Sequence, residues 1–258
     1  EEKVIKIGNL WDLSGPYAAG GQGVMKGFND YINYINGEGG IKGIRIEHSW
    51  VDSRSEPPRI ISAYKRLVEA GIVQMNFLTS VETKTLLEMI KRDRIPAVTT
   101  SQSESLFAPD SWAYCQYSTT TSDFCAGVKW IHETYWDYKK MGRPPRLVFL
   151  GWDNPYGRDP IPRVTKYAKG LGMEVIGSEL FPYGALDVTA ELMRIKDAKA
   201  DFVLLTSCNG GTAVPIKDGA RLGLWDGMKV LGNTGSYLTA QLKLAGESAN
   251  DIYIGCSS

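Results

Sequence analysis

The sequence predicts an α/β fold built from two successive series of alternating strands and helices. Apolar strand patterns alternate with helical stretches almost without interruption, which is typical of a parallel sheet with helices on both faces. A polar, turn-prone segment interrupts this alternation at residues 114–122. With 258 residues, 43% of them hydrophobic, the chain is long enough for two compact domains.

The first series begins with a predicted strand over Val4 to Leu10, in which apolar residues alternate. A Ser-Gly-Pro turn at residues 14–16 then carries the chain over the carboxyl edge of this strand. Ligands bind at this edge in open α/β sheets. The remaining predicted strands cover residues 44–51, 72–78 and 97–99, and helices are predicted near residues 24–36, 58–70 and 82–92.

The second series follows the segment 114–122, which we interpret as the first crossing between two domains. A helix is predicted from about residue 122 to 138, and strands over residues 146–151, 175–181, 202–206 and 229–231. A last strand at residues 252–256 is expected to be the return crossing. The predicted domains are therefore residues 1–118, completed by 252–258, and residues 119–251.

Charge and composition restrict the class of partner. Lys plus Arg and Asp plus Glu both number 29, so no net charge attracts nucleic acid or an anionic membrane surface. A small neutral or zwitterionic partner fits better. No apolar run reaches the roughly 20 residues needed to cross a bilayer. The start at Glu1 suits a mature protein from which an export signal has been removed.

Cysteine and histidine spacing predicts no metal site. The four cysteines contain no Cys-x-x-Cys pair, and the chain has only two histidines. Cys115 and Cys125 are close enough in sequence to pair in an oxidising compartment, although four cysteines allow three connectivities. Small buried thiols are the alternative interpretation.

The sequence also contains none of the common catalytic motifs. A dinucleotide-binding enzyme would join its first strand tightly to a Gly-x-Gly-x-x-Gly turn, but Gly21-Gln22-Gly23 comes long after the strand. Walker A, His-Glu-x-x-His and Gly-x-Ser-x-Gly motifs are absent. His48 and His132 lie within a strand pattern and a helix pattern. We therefore predict that the protein has no catalytic residues, no cofactor and no enzymatic turnover.

A set of motifs resembles one protein family when taken in order along the chain. The opening strand and its Ser-Gly-Pro turn are followed by Asn36 to Gly43, Asp52 with Pro57, Ile95 to Thr99, Asp153 to Gly157, and Gly184 to Lys196. Together they resemble the type I periplasmic solute-binding proteins of ABC transporters, the branched-chain amino acid and amide group. The resemblance covers nearly the whole chain. It implies two Rossmann-like lobes with a ligand cleft between them, of which this chain covers the first two-thirds.

The resemblance implies that the first lobe binds the carboxylate or amide group of the ligand, at Ser80, Ser101 and Ser103. Ser101 is expected to act through its backbone N–H, and Thr83 to add a hydroxyl. Ser80 precedes a helix predicted to begin near Glu82, whose N–H groups and positive end favour an anion. An ordinary helix cap is the alternative for Ser80, and a surface connection is the alternative for the other two serines.

Aromatic and polar residues complete the site that the resemblance implies. Tyr156 is expected to cover the ligand, or else to pack over the turn at Gly157. Trp11 and Asp12 leave the first strand towards the cleft, and Trp11 is either a stacking wall or a core aromatic. Asn209 lies in the segment that replaces an aromatic residue usual in the family.

Thr234 is the position at which this chain departs from the family's amino acid binders, which commonly place an acidic residue there. A desolvated ammonium group without an anionic partner is costly. The expected ligand therefore shifts towards carboxylates or amides that lack an amine. The alternative partners for an ammonium group are Asp12 and a residue of the segment that the resemblance places beyond this chain.

The resemblance implies a protein that captures a small ligand by hinge closure and presents it to a membrane ABC permease, without nucleic acid as a partner. The protein is expected to be a monomer in the periplasm or outside the cell. Whether a lipid anchors it before processing is an open alternative. A sensory or regulatory ligand-binding domain of the same fold is the alternative.

Overall fold

The structure is a computed structural model that describes residues 3–208, 210–236, 243–250 and 252–255. The chain separates into two compact units, one ending at Tyr117 and the other beginning at Ser118. Each unit contains a five-stranded sheet whose paired strands are parallel. In the described part of the chain, no helix combines the length and the apolar character needed to cross a membrane.

The first unit has helices on both faces of its sheet. Its strands are β1 (Val4–Trp11), β2 (Arg45–Asp52), β3 (Gln74–Phe77), β4 (Ala97–Thr99) and β5 (Ala113–Cys115), and its helices are α1 (Ala18–Gly37), α2 (Pro57–Glu69) and α3 (Ser80–Asp93). The strand order is β2-β1-β3-β4-β5. Successive strand residues point to opposite faces. Accordingly, Ile7 of β1 packs with Ile32 of α1, whereas Leu10 belongs to the core formed with α2 and α3.

The second unit repeats this plan. Its strands are β6 (Arg146–Trp152), β7 (Glu174–Phe181), β8 (Phe202–Thr206), β9 (Lys229–Asn233) and β10 (Ile252–Gly255), in the order β10-β9-β8-β6-β7. Its helices are α4 (Thr120–Trp130), α5 (Tyr138–Met141), α6 (Pro155–Arg158), α7 (Pro160–Gly170), α8 (Thr189–Asp197) and α9 (Gly210–Arg221). Phe124 of α4, Phe149 of β6 and Val164 of α7 meet in its core.

The predicted α/β class is confirmed, but the last strand is not where the sequence placed it. The sequence predicts that residues 252–258 complete the first lobe, with residues 252–256 as the return crossing. In the structure residues 252–255 pair with β9, with Ile252 beside Val230. The Tyr253 ring also packs 5.2 Å from Trp130 and 5.4 Å from Tyr135. This apolar contact and the strand pairing hold β10 in the second unit, while residues 256–258 lie outside the described residues.

The carboxyl ends of parallel strands meet at one edge of each sheet, which is where ligands bind in such folds. In the first unit this edge carries Asp12 after β1 and Ser101 after β4. In the second unit it carries Tyr156 after β6 and Thr234 after β9. Each unit therefore gathers predicted site residues at the edge of its own sheet.

Candidate functional site

Three serines of the first unit meet at the carboxyl edge of its sheet. Ser80 Oγ lies 2.7 Å from Ser101 Oγ and 3.0 Å from Ser103 Oγ. Ser80 opens α3, which follows β3, and the other two serines follow β4. Because β3 and β4 are paired neighbours, the segments that leave them run side by side. We refer to Ser80, Ser101 and Ser103 as the serine cluster.

Thr79, and not Ser80, caps α3. The Thr79 hydroxyl accepts a hydrogen bond from the backbone N–H of Val81, at 3.1 Å, while the Glu82 carboxylate accepts one from the N–H of Thr79, at 2.8 Å. This reciprocal arrangement is a capping box. The helix consequently begins two residues earlier than predicted, and the Ser80 hydroxyl faces the other serines instead of acting as a cap.

The loop that carries Ser101 and Ser103 is built by its own hydrogen bonds. The N–H of Ser101 donates to Thr99 Oγ1 at 3.0 Å, and the N–H of Ser103 donates to Ser101 Oγ at 3.3 Å. The Cys115 thiol donates to the Ser101 carbonyl at 2.9 Å. Thr99 thus accepts from the Ser101 N–H in this conformation, and the contact of that N–H with a ligand stays a prediction. The Ser101 hydroxyl is the part that joins the cluster.

Thr83 lies beneath the serine cluster. Its side chain is fully buried, and its Oγ1 donates to the Thr79 carbonyl at 2.9 Å and lies 2.9 Å from Thr99 Oγ1. The hydroxyl predicted to reach a ligand thus joins α3 to the end of β4. Thr83 supports the cluster from below.

The structure gives Trp11 and Asp12 internal roles. Trp11 is 1% exposed and packs edge-to-face on Phe28, with 5.4 Å between the ring centroids, so it is a core aromatic. Asp12 is fully buried, and its carboxylate accepts from the N–H groups of Gly15, at 2.6 Å, and Tyr17, at 3.1 Å. The Asp12 carboxylate thus organises the loop before α1, and its pairing with an ammonium group stays a prediction.

In the second unit, Tyr156 is held in place by a buried asparagine. The Tyr156 hydroxyl accepts from Asn233 Nδ2 at 2.7 Å, and its half-buried ring lies 6.2 Å from the Trp152 ring. Asn154 caps the short turn of α6 by accepting from the N–H of Gly157 at 3.0 Å. Both ends of the Tyr156 side chain are therefore fixed, as a ring that covers a ligand requires.

Sequence reasoning missed Asn233, which ends β9 and is fully buried. Besides Tyr156, its Nδ2 donates to Thr120 Oγ1 at 3.2 Å, and its Oδ1 lies 2.6 Å from Ser236 Oγ. A polar residue at the last position of an otherwise apolar strand, directly before Thr234, was the signal that could have identified it.

Asp123 is the second residue that sequence reasoning missed. It is fully buried in the first turn of α4 and accepts from the backbone N–H of Thr234, at 2.9 Å, and from the Ser118 hydroxyl. A carboxylate therefore does lie beside Thr234, supplied by another segment of the chain. The signal was an acidic residue in the first turn of a helix that Thr119 caps.

Two further expectations concern Asn209 and the cysteines. Asn209, a predicted ligand contact, lies outside the described residues. Cys115 and Cys125, considered as a disulfide pair, are both thiols in the structure. In the part of the chain that the structure describes, no three His, Cys, Asp or Glu side chains are grouped so that they could hold a metal ion.

Comparison with known proteins places the chain in a family. A family model described as periplasmic binding protein matches residues 4–257. The Leu/Ile/Val/Thr-binding protein of Salmonella typhimurium is 22% identical over 254 residues, which cover 97% of this chain and 67% of that protein.

Two solved structures share the fold. A branched chain amino acid ABC transporter from Thermus thermophilus with bound valine has 21% identity and a TM-score of 0.85, and the match covers 96% of this chain and 63% of that chain. A fatty acid ABC transporter substrate-binding protein from Thermomonospora curvata has 23% identity and a TM-score of 0.82, with 98% and 63% covered. The chain thus spans less than two thirds of the length of either structure.

Proposed function

The chain belongs to the periplasmic binding protein family, and on this premise we propose that it captures a small carboxylate- or amide-bearing solute for an ABC importer. The observation that carries the proposal is the serine cluster at the start of α3. The hydroxyls of Ser101 and Ser103 lie 2.7 Å and 3.0 Å from Ser80 Oγ, so the three hydroxyls form a compact set of hydrogen-bonding groups. Such a set suits one oxygen-rich group of a small ligand.

The electrostatics of α3 support an anionic or carbonyl-bearing group at the cluster. A 14-residue helix begins at Ser80, and the N-terminus of a helix carries a partial positive charge. The Glu82 carboxylate in the first turn offsets part of this charge. Hydrogen bonding from the serine hydroxyls therefore supplies much of the attraction, and this suits an amide as well as a carboxylate.

Tyr156 supports the proposal from the second unit. A phenol ring offers a flat apolar face, and Asn233 fixes its hydroxyl at 2.7 Å. We propose that this ring covers the apolar part of the ligand. Binding would then shift the population towards the closed form of a hinge-closing protein, and no bond is made or broken.

The surroundings of Thr234 favour a ligand without an amine. The described contacts place Asp123 at Thr234, and its carboxylate already accepts from the Thr234 N–H and the Ser118 hydroxyl. An ammonium group would have to share these oxygens. The names of the relatives include binders of branched-chain amino acids and of fatty acids; these ligands have a carboxylate in common but not an amine.

Three ligands with one carbon skeleton test the proposal: 4-methylpentanoate, 4-methylpentanamide and L-leucine. We expect the acid and the amide to raise the melting temperature more than leucine does. A ligand at about 100 times its dissociation constant adds roughly 2.7 kcal/mol of stability. If leucine binds tightly and 4-methylpentanoate does not, the amine-free assignment is wrong. If no member of a wider carboxylate and amide panel shifts the transition, the solute class is wrong.

The proposal includes a partner and a location. A membrane permease would receive the ligand, and the protein would act in the periplasm or outside the cell as a monomer. Support comes from the ABC transporter proteins that share the fold. Co-purification of the ligand-loaded protein with a permease in detergent is the direct test, and loaded and empty protein retained equally would contradict it.

A further inference from the structure

A chain of hydrogen bonds links three loops at the carboxyl edge of the first sheet, beside the serine cluster. The Ser55 hydroxyl donates to Asp12 Oδ2 at 2.8 Å, and the Ser55 N–H donates to Ser53 Oγ at 3.2 Å. The Ser53 hydroxyl donates in turn to Glu82 Oε1. Glu82 Oε2 accepts from both the N–H and the hydroxyl of Thr79. We call this chain of contacts, from Asp12 through Ser53 to Glu82 and Thr79, the relay.

The relay is enclosed in the first unit. Asp12, Ser53 and Glu82 are 0% exposed, and Thr79 is 5% exposed. A buried polar group that loses its partner cannot turn to bulk water and costs about 1–3 kcal/mol. Ser55, which joins Asp12 to Ser53, is half-buried, whereas the buried donors of Ser53 and Thr79 depend on the Glu82 carboxylate as their acceptor. The loss of either of these buried contacts therefore disturbs its neighbours.

The two ends of the relay, Asp12 and Thr79, lie in loops at the carboxyl edge of the first sheet. Asp12 also accepts from the N–H groups of Gly15 and Tyr17, so it sets the course of the segment 12–17. At the other end, Thr79 caps α3, and Ser80 is the first residue of that helix. A capping box needs only Thr79 and Glu82. The contact from Ser53 is additional and joins this cap to the loop after β2.

We propose that Ser53 and Glu82 are positioning residues for ligand capture, holding Ser80 at a fixed position relative to the segment 12–17. This inference rests on the proposed function of the serine cluster. Neither residue touches the ligand. Each acts on binding through Thr79 and the first turn of α3, which carries the Ser80 hydroxyl towards Ser101 and Ser103.

Backbone hydrogen exchange tests the relay in the protein without ligand. Ser53→Ala removes the donor to Glu82 and the acceptor of the Ser55 N–H. Glu82→Gln replaces one carboxylate oxygen with an amide nitrogen, which only donates, so the side chain can accept from Ser53 or from Thr79 but not from both. In both variants we expect at least about threefold faster exchange at the N–H groups of Gly15 and Tyr17, several residues from either substitution.

Two exposed residues provide matched controls for these variants. Ser49→Ala is the control for Ser53→Ala, because Ser49 lies on β2, the strand that ends directly before Ser53. Glu88→Gln is the control for Glu82→Gln, because both residues lie on α3. Neither control should change exchange at Gly15 or Tyr17. If Glu82→Gln accelerates exchange only in the first turn of α3, Glu82 is a local cap and the relay is wrong.

Binding of 4-methylpentanoate provides the second test. Ser53→Ala should weaken binding by about tenfold, in line with the loss of a hydrogen bond to a charged group. In a Ser80→Ala background the same substitution should weaken binding less than about twofold, because coupled residues do not act additively. Additive effects would contradict the positioning role. If the unmodified protein does not bind this acid, the proposed ligand fails, and the exchange experiment still decides the relay.

Discussion

The hydroxyl of Ser80 joins those of Ser101 and Ser103 because a different residue caps the helix. Thr79 accepts from the first turn of α3 and is itself held by Glu82. The Ser80 hydroxyl is therefore not one of the groups that form the helix cap. Substitutions in the serine cluster should consequently affect binding more than folding.

Ser80→Ala should weaken binding of a carboxylate ligand by about 1.5–3 kcal/mol, the range for hydrogen bonds to charged groups. Ser103→Ala should have an effect of similar size. Ser101→Ala should also weaken binding, because its hydroxyl lies 2.7 Å from Ser80 and accepts from the N–H of Ser103. Titration calorimetry with 4-methylpentanoate measures all three.

Ser178→Ala, an exposed position on β7, is the control for these substitutions and should leave the affinity unchanged. Parent-like affinity in both Ser80→Ala and Ser103→Ala would show that the ligand binds elsewhere.

Glu82 makes stability depend on pH. Burial raises the pKa of Glu82 above its ordinary value of 4.5, against hydrogen bonds from Ser53 and Thr79 that lower it. The unfolded chain then loses this proton at lower pH than the folded protein does. The contribution of Glu82 to the free energy of unfolding is therefore fully present below pH 4.5 and is lost as the pH rises through the pKa of Glu82 in the folded protein.

Denaturant unfolding at a series of pH values measures this dependence. Glu82→Gln cannot ionise, so the fall in stability above pH 4.5 should be smaller in this variant than in the parent. Glu88→Gln, at an exposed position of the same helix, should keep the parent's profile. Identical profiles for Glu82→Gln and the parent would show that Glu82 has an ordinary pKa.

At the scale of secondary structure elements, α1 approaches the end of β1 closely. A Cβ atom added at Gly21 would overlap the Asp12 carbonyl oxygen, whereas one added at Gly23 meets no atom within 4 Å. Glycine at position 21 thus lets the helix pack against the turn that Asp12 organises. The two glycines share a helix but differ in their surroundings.

Gly21→Ala should lower the free energy of unfolding by about 1–3 kcal/mol, the usual cost of overpacking. Gly23→Ala, in open space on the same helix, should leave stability unchanged or raise it by about 0.5–1 kcal/mol. Denaturant melts of the two variants compare them directly. Equal stability in both would mean that α1 can move away from Asp12 without cost.

At the scale of the whole molecule, the described residues form two units, each with a five-stranded parallel sheet and its own core. Each sheet also presents polar residues at its carboxyl edge. A binding protein with this plan can change its shape through the segments that join the units while both cores stay intact.

Ligand binding should therefore reduce the radius of gyration measured by small-angle X-ray scattering. The comparison uses the protein with and without saturating 4-methylpentanoate, once its binding is established. The Ser80→Ala variant at the same ligand concentration is the control and should remain closer to the empty protein. Superimposable profiles for the empty and saturated parent would contradict hinge closure.

The sequence by itself determined the α/β class, the alternation of strands and helices, and the identity of Ser80, Ser101 and Ser103. These features depend on local periodicity and on residues that directly follow strands. Parallel strands bring such residues to a common edge. The family resemblance identified the three serines, and this common edge is the physical reason that residues following β3 and β4 meet.

Only the tertiary structure decided the roles that depend on distant partners. Asp12 looked available for a ligand until Ser55, Gly15 and Tyr17 were found on its carboxylate. Thr234 looked far from any acid until α4 brought Asp123 to its N–H. β10 pairs with β9 because of contacts far apart in the chain. Hydrogen bonds and strand pairs between remote segments form only when the chain folds, so no local sequence pattern indicates them.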